Sequence, residues 1–252
     1  MIPPMPIDTP APVTPAKGPD QATGSALDAA LLSYVAAFVD TAGFVGLFGL
    51  FTAHVTGNFV LMGAQLVNHN GEVIAKLLSL PVFVLAVALS VLLANWLKRR
   101  ARSALTPLLG VQAGLLLAAA LIAMRTGAPV SADDINAIAI GTTMIAAMGL
   151  QNALMRLELG AMPPTTVMTG NVTQATIDVM QLWTTSANAS ERAVQRKRLQ
   201  KMWPSMLAFL LGAASGALGY LLFGFWCLLV PSALCAVLAG KLGRRSLSGG
   251  PA

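Results

Sequence analysis

The stretch Phe51-Thr-Ala-His-Val-Thr-Gly-Asn-Phe-Val60 returns in outline as Pro164-Thr-Thr-Val-Met-Thr-Gly-Asn-Val-Thr173. Both stretches place Thr-Gly-Asn inside a long apolar region, where small polar residues are costly. A shift of 113 positions superimposes more than the tripeptide. The matched residues are Thr52 with Thr165, Thr56 with Thr169, Gly57 with Gly170 and Asn58 with Asn171. The pattern predicts two copies of one unit, each with a polar break in its apolar portion.

The composition is typical of an integral membrane protein. Of the 252 residues, 56% are hydrophobic and 10% are charged, and the mean hydropathy is +0.70. The net charge of +6 lies in loops and chain ends, and the Lys and Arg clusters lack interleaved aromatic residues. We therefore predict an all-α membrane protein that has the lipid bilayer as a partner and does not bind nucleic acid.

The chain divides into a tail, a membrane domain and a second tail. Residues 1–26 hold seven of the 15 prolines and are predicted to be disordered, without the pattern of a signal peptide. Residues 27–245 are predicted to form the polytopic domain, with repeats at about 29–125 and 135–241, and 246–252 a disordered tail. The predicted spans, each suited to a hydrocarbon core of about 30 Å, are 29–50, 77–97, 107–124, 135–155, 206–223 and 224–239.

The basic clusters distinguish between two topologies. If both Thr-Gly-Asn segments crossed the membrane, the basic stretches 98–102 and 192–201 would face opposite sides, against the positive-inside rule. If each segment instead enters and leaves on one side, six spans remain, and both basic stretches and both termini face the cytoplasm. Each half then has three spans, so the second repeat is inverted relative to the first, as in many secondary transporters.

The two polar breaks are predicted to be re-entrant. About eight extended residues can reach the middle of the membrane, and a helix of about ten residues then returns. We expect Gly57 and Gly170 at the reversals and the Thr and Asn side chains as caps of the half-helices. Converging N-termini of two inverted half-helices would favour a small anion or the carboxylate of a zwitterion. The alternative is that Thr-Gly-Asn only allows a tight helix crossing.

The substrate-binding candidates are the polar residues at and beside these breaks. Asp40, in the middle of the first span, either carries a coupling proton or a cation, or hydrogen-bonds the unwound backbone. His54 either satisfies a carbonyl group or titrates together with Asp40. Asp178 is a lesser candidate near the cytoplasmic mouth. The full set is Asp40, Thr52, His54, Thr56, Gly57, Asn58, Gln151, Asn152, Thr165, Thr169, Gly170 and Asn171.

The motif combination resembles that of a known family. The run Asp40-Thr-Ala, the first Thr-Gly-Asn stretch, Met148-Gly-Leu-Gln-Asn-Ala153 and Met168-Thr-Gly-Asn-Val172 are similar to the YoaK-like family of bacterial membrane proteins, DUF1275. The resemblance covers about residues 29–241. It implies a bacterial inner-membrane protein of about six spans, and it implies no activity.

Two function classes remain. The two polar breaks favour a small-solute transporter or channel, and the alternative is a non-transporting membrane subunit or scaffold. The sequence has no cluster with metal-ligand spacing, no phosphate-binding loop and no serine elbow. We therefore predict no enzymatic activity, no metal and no cofactor, with a small molecule or ion as substrate; homo-oligomerisation is left open.

The topology is testable by cysteine labelling from either side of the membrane. Because the basic stretches mark one side, cysteines at Ser103, Ser190 and Ser246 should react only from the cytoplasm. Cysteines at Asn70 and Ala132 should react only from outside. Labelling of Ser103→Cys and Ser190→Cys from opposite faces would contradict both the six-span topology and the inverted repeat.

Overall fold

The computed structural model describes residues 24–67, 73–100, 102–184 and 189–248, and all regular structure within these ranges is helical. The helices are α1 (Ala26–Gly46), α2 (Gly57–Val67), α3 (Ile74–Lys98), α4 (Leu105–Thr126), α5 (Ile135–Leu157), α6 (Met168–Thr184), α7 (Ala189–Phe223) and α8 (Leu229–Ser248), with a 3₁₀ helix (Gly224–Leu228) between the last two. Among the described residues, five helical stretches are long and apolar enough to cross a membrane: α1, α3, α4, α5 and the stretch from α7 through α8. The predicted all-α class is confirmed.

The first helix is set by a cap at its start and a backbone turn at its end. Ser25 and Asp28 form a capping box, in which each side chain bonds the backbone N–H of the other. The helix ends at Gly46, earlier than the predicted span end at residue 50, because Phe48 and Gly49 take positive φ values of 54° and 79°. These values are left-handed, a conformation that glycine adopts without strain.

The prediction that Gly57 and Gly170 make the reversals is wrong. Both lie in the first turn of a right-handed helix, α2 and α6 respectively. In the first half the chain leaves the helical direction at Phe48 and Gly49, which carry the positive φ values. In the second half Pro163 and Pro164 precede α6, and proline keeps the residue before it extended.

The basic stretch 192–201 is part of α7 rather than a loop. This helix runs for 35 residues and begins at Ala189, well before the predicted span at 206–223. Its first turns contain Ala, Arg, Gln, Lys and Leu, which favour the helix even where the residues are too polar for a membrane core. The predicted C-terminal tail is also partly helical, since α8 continues to Ser248.

The most extensive helix contact joins α1 to α7, and two glycines make it close. A Cβ atom on Gly212 would collide with the backbone of Tyr34, and one on Gly216 with the backbone of Phe38. Small residues at this spacing let helix backbones approach in a membrane. Gly46 of α1 also lies in close contact, packed against the rings of Tyr220 and Phe225.

Among the described residues, three ion pairs with a buried acid join different helices. In each pair the acid side chain is at most 3% exposed and the base is 34–45% exposed. Removing one partner of such a pair leaves a buried charge and is strongly destabilising. The pairs are Asp28 with Lys241 (2.7 Å, α1 to α8), Glu158 with Lys98 (2.8 Å, the end of α5 to α3) and Asp178 with Arg198 (2.6 Å, α6 to α7).

The exposure of the substituted residues refines the cysteine-labelling test of the topology. Ala132 is only 2% exposed, whereas Val130 in the same connection is 87% exposed. A cysteine at position 130 is therefore more accessible to the thiol reagent. Asn70 lies outside the described residues. The native thiols of Cys227 and Cys235 are buried and give little background labelling.

The α1–α7 contact gives a matched glycine test. Gly216→Ala should lower the free energy of unfolding by about 1–3 kcal/mol, because its methyl group meets the Phe38 backbone. Gly110→Ala is the control, since no atom lies within 4 Å of its added Cβ, and alanine favours the helix by about 1 kcal/mol. Unfolding in detergent, followed by circular dichroism, measures both. Equal stability of the two variants would show that α1 and α7 are not in close contact.

Candidate functional site

The Asp40 carboxylate holds the non-helical segment between α1 and α2, residues 47–56, which we call the first unwound segment. Its Oδ1 atom accepts hydrogen bonds from the backbone N–H groups of Thr52 (2.7 Å) and Ala53 (2.6 Å). The Thr52 hydroxyl lies 3.3 Å from the same oxygen. Asp40 is 5% exposed and Thr52 is fully buried, so these N–H groups have little access to water. Of the two roles weighed for Asp40, the backbone-bonding one is present in the structure.

His54 pairs with the other oxygen of Asp40. Its Nδ1 atom lies 2.6 Å from Asp40 Oδ2, and its side chain is 39% exposed. The rings of Phe51 and Phe209 meet the imidazole edge-on, at centroid distances of 6.1 and 6.0 Å. Because Asp40 occupies Nδ1 and the aromatic edges fix the ring plane, Nε2 is the nitrogen left for a ligand.

A cavity of about 470 Å³ opens beside this pair. It is formed by α1, the first unwound segment, the start of α2 and one side chain of α7. Its polar groups come from Asp40, Thr41, His54 and Thr56, and two aromatic rings form much of its apolar wall. The lining residues are Ala37, Asp40, Thr41, Phe51, His54, Thr56, Gly57 and Phe209. An apolar pocket with a few convergent polar groups is the usual form of a small-molecule site.

The two asparagines have the same structural role, which is not the predicted cap. Asn58 donates from Nδ2 to the carbonyl of Phe51 (2.8 Å) and accepts from its N–H (2.9 Å). Asn171 donates from Nδ2 to the carbonyl of Pro164 (2.8 Å), also seven residues earlier. Proline has no N–H, so the second bond cannot form there. Each asparagine therefore fastens its half-helix to the extended chain that precedes it.

The second unwound segment, residues 158–167, is held by neutral side chains. Gln151 Nε2 donates to the Thr165 hydroxyl (3.0 Å) and to the Leu32 carbonyl (2.8 Å). Asn152 Oδ1 accepts from the Thr166 hydroxyl (2.7 Å). Gln151 and Asn152, two residues and one residue before the position equivalent to Asp40, thus hold the second unwound segment as Asp40 holds the first, but without a charge.

The two half-helices lie at the periphery of the protein. Asn58 is the buried residue of α2, and Asn171 and Asp178 are those of α6. Thr169 and Gly170 are exposed and do not line the cavity, and neither do the other second-half candidates. The backbone N–H groups of residues 57–59 already bond the carbonyls of residues 54–56, so the start of α2 offers an anion its dipole more than unpaired donors.

Sequence reasoning missed three residues of this region. Gln112 is fully buried in α4 and donates from Nε2 to Gln151 Oε1 at 2.6 Å; a polar side chain in the middle of a predicted span was the available signal. Thr41, beside Asp40, was open to the same reasoning. Phe209 closes the cavity from α7, and one phenylalanine in an apolar helix gives no signal.

Asp178 is engaged in an ion pair away from the cavity. Arg198 binds it through two nitrogens, with Nε 2.7 Å from Oδ2 and Nη2 2.6 Å from Oδ1. Gln174 adds a third bond to Oδ1 at 2.9 Å. A bidentate pair of this kind fixes orientation as well as charge. Asp178 therefore fastens α6 to α7.

Asn58→Ala should destabilise the fold more than Asn171→Ala. The first variant breaks two bonds to the Phe51 backbone, at about 1 kcal/mol for each bond. The second breaks one bond to the Pro164 carbonyl and a weaker contact of 3.5 Å to Met168 Sδ. Chemical unfolding of both variants in the same detergent gives the comparison. Equal losses would mean that the bond to the Phe51 N–H contributes nothing to stability.

Comparison with known proteins gives one match. A family model described as "Protein of unknown function (DUF1275)" matches residues 29–240. No match was found among curated proteins or among solved structures. The matched range contains every residue of the cavity and both Thr-Gly-Asn segments.

Proposed function

The chain belongs to the DUF1275 family, and on this premise we propose that it is a small-solute transporter or channel whose site is the cavity beside Asp40 and His54. The observation that carries the proposal is a carboxylate–imidazole pair, formed by Asp40 of α1 and His54 of the first unwound segment, that lines a cavity of about 470 Å³. Non-helical backbone among membrane helices is tolerated where it is buried in protein or lines a wet cavity. Ionisable groups at such places mark substrate and ion pathways in membrane proteins.

The pattern of helix packing supports an inverted repeat. A shift of 113 residues relates α1 to α5, α2 to α6, α3 to α7 and α4 to α8. Under this exchange the contact of α1 with α7 becomes that of α5 with α3, and both contacts are extensive. The contact of α2 with α3 likewise becomes that of α6 with α7, and α4 packs on its own counterpart α8. Two halves related by a pseudo-twofold axis produce this pairing.

A six-span topology follows if α7 and α8 cross separately. Gly224 has a φ of 56° and opens the 3₁₀ helix between them, which allows the chain to turn back. With α2 and α6 as half-helices, the spans are α1, α3, α4, α5, α7 and α8. On the distribution of Lys and Arg we propose that both termini are cytoplasmic and that the protein lies in the bacterial inner membrane.

A non-transporting membrane subunit is the second candidate, and one observation favours it. The apolar side chains of Val60, Leu66 and Val67 on α2 are 64–78% exposed, which leaves a face that either lipid or another chain can cover. The cavity discriminates between the two functions. A subunit or homo-oligomer would need the α2 face, whereas a transporter needs the space between His54 and Phe209.

Filling the cavity should abolish solute binding without unfolding the protein. Phe209→Trp places a larger ring in the cavity wall, which reduces the cavity volume, and leaves the Asp40–His54 pair in place. Phe223→Trp is the matched control, because Phe223 is 64% exposed and does not line this cavity. Purified protein would be screened for thermal stabilisation by small carboxylates, amino acids and nucleobases, and each hit tested for uptake into proteoliposomes.

The expected result is a ligand that stabilises wild type and Phe223→Trp and is taken up by both, at a rate at least tenfold lower in Phe209→Trp. Equal uptake by both tryptophan variants would place the transport path elsewhere. Stabilisation without uptake by any of the three proteins would favour the non-transporting subunit.

A further inference from the structure

We propose that His54 is the proton-binding group of this cavity, that Asp40 is its positioning residue, and that the solute is a small carboxylate bound together with the proton. The part of the inference that concerns a solute rests on the proposed function, whereas the proton site rests on geometry alone. The cavity is lined by two ionisable side chains, Asp40 and His54. The two side chains differ in the other hydrogen bonds that they make.

Asp40 is committed to the fold. Its Oδ1 atom accepts two short backbone hydrogen bonds, from Thr52 and Ala53, and its Oδ2 atom faces His54 Nδ1. A proton on Oδ1 would displace one of its backbone hydrogen bonds, whereas a proton on Oδ2 would reverse the direction of the contact with His54 Nδ1. The ionised form is the one that the surrounding donors stabilise. A proton that binds and dissociates during a transport cycle is therefore better placed on His54.

His54 is free to take that proton. With an ionised Asp40, the short Nδ1···Oδ2 contact requires a hydrogen on Nδ1, so the neutral ring is the Nδ1–H tautomer. The lone pair is then on Nε2, and the His54 side chain lines the cavity. When a hydronium ion transfers its proton to this lone pair, an N–H bond forms, a water molecule is released, and the Nδ1···Oδ2 contact is kept. The pair changes from one net negative charge to none.

The change of charge selects the solute. With neutral His54, the carboxylate of Asp40 repels an anion and Nε2 is an acceptor, so the site disfavours a second carboxylate. With protonated His54, Nε2–H becomes a donor and the repulsion is offset. The Thr41 and Thr56 hydroxyls and the positive end of α2 lie on the same cavity wall. The rings of Phe51 and Phe209 suit a short apolar body.

No other charged group competes for this role within the described cavity wall. Helix α2 contains no charged residue, and α7 contributes Phe209. Lys76, at the start of α3, donates to the carbonyl of Phe48 at 3.2 Å and does not line the cavity. In the second half, the positions of Asp40 and His54 are taken by Ala153 and Val167. The proton site is therefore single.

The sequence allows a direct test, because His54 and His69 are the two histidines of the chain. The full-length His69→Gln variant, labelled with ¹⁵N-histidine and placed in nanodiscs, gives NMR signals from one imidazole. The ring nitrogens report both tautomer and protonation. We expect the Nδ1–H tautomer at high pH and reversible protonation of Nε2 as the pH is lowered. An Nε2–H tautomer, or a ring that does not titrate, would overturn the proton site.

The positioning role of Asp40 has its own readout. Asp40→Asn should convert the single tautomer into a mixture, because the amide can accept from or donate to Nδ1. A merely structural Asp40 would leave the tautomer unchanged. Should Asp40→Asn fail to fold, Asp40→Glu serves, since its longer side chain is expected to weaken the same contact.

The solute class is tested on the same sample. At the midpoint of the titration, lactate, succinate or benzoate should increase the protonated fraction of His54, because anion and proton bind together. Lactamide, succinamide and benzamide are the matched neutral probes and should not. If no carboxylate changes the protonated fraction, the solute class is wrong and the proton site remains. Loss of uptake with this coupling intact would contradict only the proposed transport.

Discussion

The backbone N–H groups of Thr52 and Ala53 impose the constraint on which the first half of the molecule depends. They lie in a segment without helical hydrogen bonds, packed among apolar helices, where an unpaired donor costs about 1–3 kcal/mol. The carboxylate of Asp40 satisfies both, at 2.7 and 2.6 Å. A charged acceptor is costly in such surroundings unless its lone pairs are used, and here the second oxygen is used by His54. The path of the first unwound segment and the position of His54 beside the cavity depend on this arrangement.

The two halves meet the same constraint with different chemistry. Both fasten the half-helix through an asparagine to the residue seven positions earlier, and both hold the unwound segment from the preceding full helix. The first half uses the carboxylate–imidazole pair of Asp40 and His54, and the second uses the neutral side chains of Gln151 and Asn152. The second half-helix is also fixed by the bidentate Asp178–Arg198 pair. This asymmetry places the chemistry of the molecule in its first half.

Sequence reasoning succeeded where the signal is local. Hydropathy identified the apolar helices, and the 113-residue shift identified Asn58 and Asn171 as equivalent residues. It failed where the signal is tertiary. A positive φ at Phe48 is unexpected for a residue with a Cβ atom, and helix propensity continued α7 through a basic stretch that hydropathy assigned to a loop. The sequence alone could not distinguish the ion-carrying role of Asp40 from its backbone-bonding role, because its partners lie 12 to 14 residues further along the chain.

The central claim is that the cavity beside His54 faces water rather than lipid, and thiol accessibility at Thr56 tests it most directly. Thr56 lines the cavity, whereas Val60, one turn along α2, is 75% exposed on the apolar face. In membranes, Thr56→Cys should react with a charged, membrane-impermeant thiol reagent, and Val60→Cys only with a lipid-soluble one. Reaction of Thr56→Cys with the lipid-soluble reagent alone would show a lipid-facing groove and contradict a solute site there.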